Sequence, residues 1–141
     1  MEQTINYLFV YGTLLDNRNE FAIYLKQNCS FYTDGKLKGL LFDIGEYPGV
    51  VLQTDTGGFV YGDVFQINSV DTTLKILDEY EGFGNNELQP NEFIRKIEEI
   101  NTPLGLLKCW IYLYNLPFDS LKPILSGNYL QYIQLGTIPE Y

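Results

Sequence analysis

The spacing of apolar residues between positions 69 and 82 predicts an amphipathic helix whose inner face ends in a carboxylate. Three aliphatic residues share one helical face: Val70, Leu74 and Leu77. At about 100° per residue, Glu81 continues the same face. Ser69 suits the N-cap, and Gly82 suits the left-handed residue just past the last turn. The pattern therefore predicts a helix from Ser69 to Gly82 that turns Glu81 toward the core.

An inward Glu81 has a chemical consequence. Burial raises the pKa of a carboxyl group, and the partial negative charge at a helix C-terminus acts in the same direction. Both effects suit a proton acceptor that works near neutral pH. The alternative is that the helix ends a residue or two earlier and that Glu81 points into water, as most terminal glutamates do.

Most of the remaining chain has the pattern of strands separated by turn-forming residues. Residues 5–11 form a dense apolar run that ends at Gly12, which predicts a buried strand entering a tight loop. An antiparallel meander is predicted for residues 37–44, 50–53 and 59–67, with turns at 34–35, 46–49 and 55–58. Residues 93–100 and 104–114 predict a hairpin, and short helices are predicted at 17–26 and 130–135.

These elements predict an α+β fold. We expect a small mixed, mostly antiparallel β-barrel or strongly bent sheet that curls around one main helix, in a single domain over residues 1–141. In such a fold the loop that follows the first strand can meet the end of the helix. The sequence thus predicts that Gly12 and Glu81 lie in one site.

Charge and composition exclude several classes of function. Nine Lys and Arg face 18 Asp and Glu, for a net charge of −9, so the cationic surface that nucleic acids or anionic membranes require is missing. No apolar run approaches the roughly 20 residues of a membrane span, and the first residues do not resemble a secretion signal. We therefore expect a cytoplasmic protein with no nucleic-acid or membrane partner.

Histidine is absent, which excludes Ser-His-Asp and Cys-His catalysis and most first-row metal sites. The two cysteines, Cys29 and Cys109, lie far apart without metal-site spacing, so we expect two reduced, packed thiols. We predict neither metal nor cofactor. Acid-base chemistry is left to carboxylates, tyrosines and lysines, among which the pattern selects Glu81.

Two motifs and their order resemble the gamma-glutamyl cyclotransferase-like family, also called AIG2-like. They are Val10 to Leu14, VYGTL, and Leu77 to Gly82, LDEYEG. Weaker landmarks follow in the same order, at residues 47–50, 60–65, 95, 110–112 and 126–129. The resemblance spans nearly the whole chain and implies a small mixed barrel with a glutamate beside a pocket.

The resemblance also implies a reaction and a partner. Active members release an amine or amino acid from a small gamma-glutamyl compound and form 5-oxoproline. The substrate's own α-amine is the nucleophile, so the protein has to move a proton, fold the substrate and stabilise an oxyanion. Glu81 is then the general acid and base. The chain departs from the family at Phe93, where a tyrosine is common.

Further substrate-binding residues are predicted around Glu81. Tyr11, Gly12, Thr13 and Leu14 are expected to form a loop whose backbone amides hold the glutamyl part, although a glycine there also suits a plain strand-ending turn. The other candidates are Tyr47, Pro48, Gly49, Arg95 and Tyr129. For these, a turn, a protein ion pair and core packing are the respective structural alternatives.

Two other functions stay open at this point. One is a non-catalytic small-molecule binding or regulatory domain on the same fold, because a fold does not fix an activity. The other is a protein-interaction module, suggested by the 12 tyrosines and 9 phenylalanines. The sequence decides neither the leaving group nor the oligomeric state.

Overall fold

The strands of the protein close into a barrel, and its main helix packs outside that barrel. The structure is a computed structural model and describes residues 4–12, 20–45, 47–53 and 57–136. The strands in this part of the chain are β1 (Tyr7–Val10), β2 (Cys29–Asp43), β3 (Pro48–Leu52), β4 (Phe59–Ile67), β5 (Phe93–Thr102), β6 (Gly105–Tyr114) and β7 (Lys122–Pro123). The helices are α1 (Glu20–Asn28), α2 (Val70–Glu81) and α3 (Tyr129–Gly136).

Barrel closure follows from the strand order. Neighbouring strands run β2, β4, β1, β6 and β5, and β5 pairs back with β2 where Asn101 lies opposite Lys36. β1 and β6 are parallel, with Leu8 opposite Trp110, whereas the other pairs are antiparallel. β3 and β7 pair with the C-terminal half of β2. The predicted small mixed, mostly antiparallel barrel is confirmed.

The short strand β1 is buried on both faces because it separates two apolar clusters. Phe9, and Tyr11 just after the strand, lie in the cluster inside the barrel. Leu8 and Val10 point the other way, toward a cluster that also contains residues of α1 and α2. This alternation follows from the period of two along a strand.

Helix α2 packs against the outer face of the barrel. Its buried aliphatic residues, Leu74 and Leu77, belong to the outer cluster and not to the barrel interior. The expectation that the strands curl around this helix was therefore wrong, because the interior is already filled by side chains of the strands themselves. None of the helices described here has the length and apolarity needed to cross a membrane.

The ends of α2 match the prediction. Ser69 is extended, with φ −123° and ψ 93°, and Gly82 is left-handed, with φ 71° and ψ 34°. The amide of Gly82 donates to the carbonyl of Glu79, and the amide of Phe83 donates to that of Asp78 at 2.9 Å. This pair of bonds is a Schellman motif, and it fixes Glu81 as the last helical residue.

The predicted turn at Asp34 and Gly35 was wrong, since both residues lie inside the 15-residue strand β2. A side chain at Gly35 would come within 2.7 Å of Cγ2 of Ile100. Glycine is needed there because β2 passes close to β5 where the barrel closes. The predicted hairpin over 93–114 is confirmed by β5 and β6, whose strands pair from Phe93 with Tyr114 to Thr102 with Gly105.

Candidate active site

The end of β1 and the end of α2 meet at one pocket. Its volume is about 180 Å³. The described residues that line it are Leu8, Phe9, Val10, Tyr11, Gly12, Tyr47, Pro48, Tyr80, Glu81, Glu92, Phe93 and Tyr112. Gly12 and Glu81, which are remote in sequence, thus lie in the same hollow, as the sequence predicted.

Glu81 is a pocket residue whose pKa is raised toward the neutral range. The residue is only partly exposed, and enough protein surrounds its carboxyl group that burial raises its pKa from 4.5 to about 8. The value of about 8 already includes the smaller contributions of two negative charges, those of Glu92 and then Asp78, which act in the same direction as burial. A carboxyl group with this pKa can take up a proton and return it near neutral pH.

Tyr11 forms the pocket wall next to Gly12 and is buried. Its hydroxyl group donates a hydrogen bond to the backbone carbonyl of Tyr112. Burial raises the pKa of Tyr11 well above 10, and the charge of Glu81 adds to this, while a backbone contact with Val50 opposes it. Tyr11 is therefore a neutral hydrogen-bond donor that ties the end of β1 to β6.

Gly12 and Pro48 approach each other closely across the pocket. A Cβ atom at Gly12 would lie 2.6 Å from Cγ of Pro48, which is closer than atoms in contact can be. The absence of a side chain at Gly12 thus lets the backbone after β1 pack directly on Pro48 in the pocket wall. Thr13 and Leu14, predicted to continue the same binding loop, lie outside the described residues.

Tyr47 and Glu92 form a second polar pair in the pocket that the sequence did not identify. The hydroxyl group of Tyr47 donates a hydrogen bond to the Glu92 carboxylate. Burial raises the pKa of Tyr47 above its usual range, and this bond to Glu92 adds to the effect. Glu92 directly precedes β5, and nothing else in the sequence indicates that it lines the pocket.

Three predicted binding residues lie apart from this pocket. Gly49 packs against Tyr114, where an added Cβ would be 2.9 Å from that residue's Cβ. Tyr129 belongs to the core inside the barrel and lines a separate hollow with Tyr11. Arg95 bonds to Asp78, and its binding of substrate, like that of the other two, stays a prediction.

The segment from Phe83 to Asn91, between α2 and β5, is held by hydrogen bonds within itself. The side-chain amide of Asn91 accepts from the amide of Gly84 and donates to its carbonyl, both at 3.1 Å. It also donates to the carbonyl of Leu88 at 3.2 Å. Phe83 and Asn86 line a neighbouring hollow instead of the pocket with Glu81.

Metal ligation finds no support in the described part of the chain, where no group of three or more Cys, Asp or Glu side chains is arranged to hold an ion. The chemistry that the pocket offers is proton transfer. Glu81 has a carboxyl group that can exchange a proton near neutral pH, and Tyr11, Tyr47 and Tyr112 have hydroxyl groups that stay neutral there.

Comparison with known proteins gives consistent matches over most of the chain. The sequence model of the family described as "Gamma-glutamyl cyclotransferase, AIG2-like" matches residues 8–131. The gamma-glutamylcyclotransferase family protein YtfP of Escherichia coli is 32% identical over 130 residues, covering 87% of this chain and 95% of the relative. The solution structure of ytfP from E. coli has a TM-score of 0.62 at 30% identity and covers 90% of this chain and 98% of that one.

Two further proteins match, one in sequence and one in structure. A Niallia circulans protein named gamma-L-glutamyl-butirosin B gamma-glutamyl cyclotransferase is 32% identical over 109 residues, which cover 77% of this chain and 66% of that protein. The crystal structure of YkqA from Bacillus subtilis has a TM-score of 0.71 at 24% identity. It covers 94% of this chain but 42% of that one, so it shows a shared fold alone.

Proposed function

Because the chain belongs to the gamma-glutamyl cyclotransferase, AIG2-like family, we propose that it converts a gamma-glutamyl compound into 5-oxoproline and a free amine or amino acid. The observation that carries this proposal is the position of Glu81. Its carboxyl group has a pKa of about 8 and lines a pocket with Gly12 at the end of β1. The reaction needs one group that exchanges protons near neutral pH, and Glu81 has that property.

In the first step, Glu81 takes a proton from the substrate's α-ammonium group. The free α-amine attacks the γ-carbonyl carbon of the same molecule, so a new C–N bond closes a five-membered ring. The carbonyl oxygen becomes an oxyanion. Backbone amides that follow Tyr11 are suited to hold it, because a loop with glycine can direct successive N–H groups at one anion.

In the second step, the bond between the γ-carbon and the leaving nitrogen breaks. Glu81 gives its proton to that nitrogen, and the ring nitrogen, which carries two hydrogens after the attack, then gives up one of them through Glu81 to the departing amine. The products are 5-oxoproline and the amine as an ammonium ion. No protein nucleophile is required, and atoms and charges balance without a cofactor. The protein then contributes proton transfer, worth on the order of 10² to 10⁴ in rate, and the folded substrate conformation.

The size of the pocket bears on which part of the substrate it holds. The hollow of about 180 Å³ is small and lies at the end of β1, and we assign the glutamyl part of the substrate to it. Only the nitrogen of the leaving amine then has to reach Glu81, and the rest of the amine extends beyond the pocket. The relative named for gamma-glutamyl-butirosin B supports including gamma-glutamyl groups on larger amines among the candidate substrates.

The decisive experiment is a panel of gamma-glutamyl amines, amino acids and larger amine conjugates, with 5-oxoproline measured by mass spectrometry. We expect product from at least one class with the natural protein and a loss of 10²-fold or more in Glu81→Gln. Glu79→Gln is the matched control, since Glu79 is an exposed acid on the same helix. Binding without product across the panel would instead identify a non-catalytic domain.

A further inference from the structure

Arg95 and Asp78 lie behind the pocket and not in it. Both line a neighbouring hollow, whereas Glu81, Tyr11 and Tyr112 line the site. We propose that Arg95 and Asp78 are positioning residues that act on the site through Tyr112, and that Arg95 does not contact the substrate. The expected effect on kcat rests on the proposed function. The expected effect on the pKa of Glu81 rests on the structure alone.

Arg95 is held on several sides at once. Its Nε donates to Oδ1 of Asp78 at 2.8 Å and its Nη2 donates to Oδ2 at 3.1 Å, so both carboxylate oxygens are engaged. The guanidinium carbon lies 4.4 Å from the ring centroid of Trp110 and 5.8 Å from that of Phe83. A guanidinium group with a bidentate partner and two aromatic neighbours is committed to the protein.

Asp78 passes this restraint to the pocket wall. Oδ1 of Asp78 also accepts a hydrogen bond from the hydroxyl group of Tyr112 at 2.7 Å. The backbone carbonyl of Tyr112 in turn accepts from the hydroxyl group of Tyr11, which precedes Gly12. A chain of bonds thus runs from Arg95 through Asp78 and Tyr112 to the loop proposed to hold the substrate.

The same pair contributes to the charge next to Glu81. The groups that face Glu81 from the elements packed around it are Glu92 before β5, Asp78 on α2, Tyr11 after β1, Tyr47 before β3 and Tyr112 on β6. Asp78 is the one among them that forms an ion pair with a guanidinium group in the described structure. Arg95 therefore offsets part of the negative charge that acts on Glu81.

The first test separates kcat from KM. Arg95→Gln removes the positive charge and the paired hydrogen bonds to Asp78. Arg95→Lys keeps the positive charge, and Tyr112→Phe removes only the hydroxyl group bonded to Asp78. We expect kcat to fall roughly tenfold in Arg95→Gln and Tyr112→Phe, with KM changed less than about threefold. A large rise in KM with kcat kept in Arg95→Gln would overturn the proposal, because it would place Arg95 on the substrate.

The second test measures proton affinity without turnover. NMR titration of the Glu81 side-chain carbon should give a midpoint that is raised by roughly half a pH unit in Arg95→Gln and lowered in Asp78→Asn, but unchanged in Arg95→Lys. Lys96→Gln, which removes an exposed cation of the same strand, is the control. Shifts of the same sign in Arg95→Gln and Asp78→Asn, or none in either, would overturn the proposal.

The two proposals fail in different ways. If the natural protein forms no 5-oxoproline from any substrate, the proposed function fails, while the titration still decides how Arg95 and Asp78 affect Glu81. If product forms but the titration shows no opposed shifts, this inference fails and the proposed function stands. Circular dichroism of each variant identifies any that do not fold. If Arg95→Gln does not fold, the kinetic test uses Tyr112→Phe, the mildest of the changes.

Discussion

The hydroxyl group of Tyr47 donates a hydrogen bond to the carboxylate of Glu92, a residue 45 positions further along the chain. Both side chains line the pocket that contains Glu81. The Tyr47 ring also packs on Phe93, with centroids 5.8 Å apart, so this pair is fixed by packing as well as by its bond. Glu92 is the charge that raises the pKa of Glu81 most, which makes this contact the main local control on proton affinity after burial.

The variant Glu92→Gln should therefore work at lower pH. Removing a neighbouring negative charge favours the ionised form of Glu81, so its pKa should fall from about 8 by roughly half to one unit. The amide oxygen of glutamine can still accept from Tyr47. A pH profile of kcat measures the shift, and Glu99→Gln, an exposed acid of the same strand, should leave the profile unchanged. An unmoved midpoint in Glu92→Gln would contradict the electrostatic argument.

Stability should fall as pH rises, because of Glu81. Its folded pKa of about 8 lies above the ordinary 4.5, so folding favours the protonated form. The stabilisation is complete below pH 4.5 and is lost as pH rises to about 8. Glu81→Gln, which mimics the protonated acid, should exceed the natural protein by roughly 2–4 kcal/mol at pH 9, allowing for partial solvent access, and match it at low pH. Urea unfolding at pH 4 and 9 checks this, and equal stabilities at pH 9 would refute it.

Gly12→Ala should damage the site more than the fold. The added methyl group would meet Cγ of Pro48 at 2.6 Å, so one wall of the pocket has to move. We expect kcat/KM to fall tenfold or more, and stability to fall by about 1–3 kcal/mol. Gly57→Ala is the matched control because nothing lies within 4 Å of its added Cβ. Natural kcat/KM in Gly12→Ala would show that the close approach to Pro48 does not matter for the reaction.

The two thiols should resist alkylation in the folded protein. Burial raises the pKa of Cys29 to about 11 and that of Cys109 to about 12, so neither is a thiolate near neutral pH. Mass spectrometry after iodoacetamide treatment at pH 8 should find both unmodified without denaturant and both modified in urea. Rapid native labelling of either cysteine would show that its site opens easily.

Local chemistry made some of these features readable in the sequence. Helix α2 has a stop signal at Gly82 and a clear apolar face, so both its extent and the inward position of Glu81 could be predicted. The burial of β1 on both faces likewise follows from its unbroken apolar run. In each case the residues that determine the structure are neighbours in the chain.

Features that depend on distant pairing were beyond such reasoning. Asp34 and Gly35 have the composition of a turn, but pairing with β4 carries β2 straight through them. Glu92 resembles an ordinary loop acid until Tyr47 is placed beside it. Arg95 could equally have met a substrate or a protein carboxylate, and only the packing of α2 on the barrel supplies Asp78 as its partner.

β1 pairs with β4 and β6, so the part of the site at the end of β1 depends on strands that come much later in the chain. The first strand of the chain is enclosed by segments made some fifty and a hundred residues later, and it carries Tyr11 and Gly12 at its end. Tyr11 and Gly12 therefore reach their places in the pocket only when both flanking strands are present to pair with β1. A molecule whose first strand has slipped out can keep most of its hairpins and helices and still be inert, so turnover is a stricter measure of native structure than secondary-structure content.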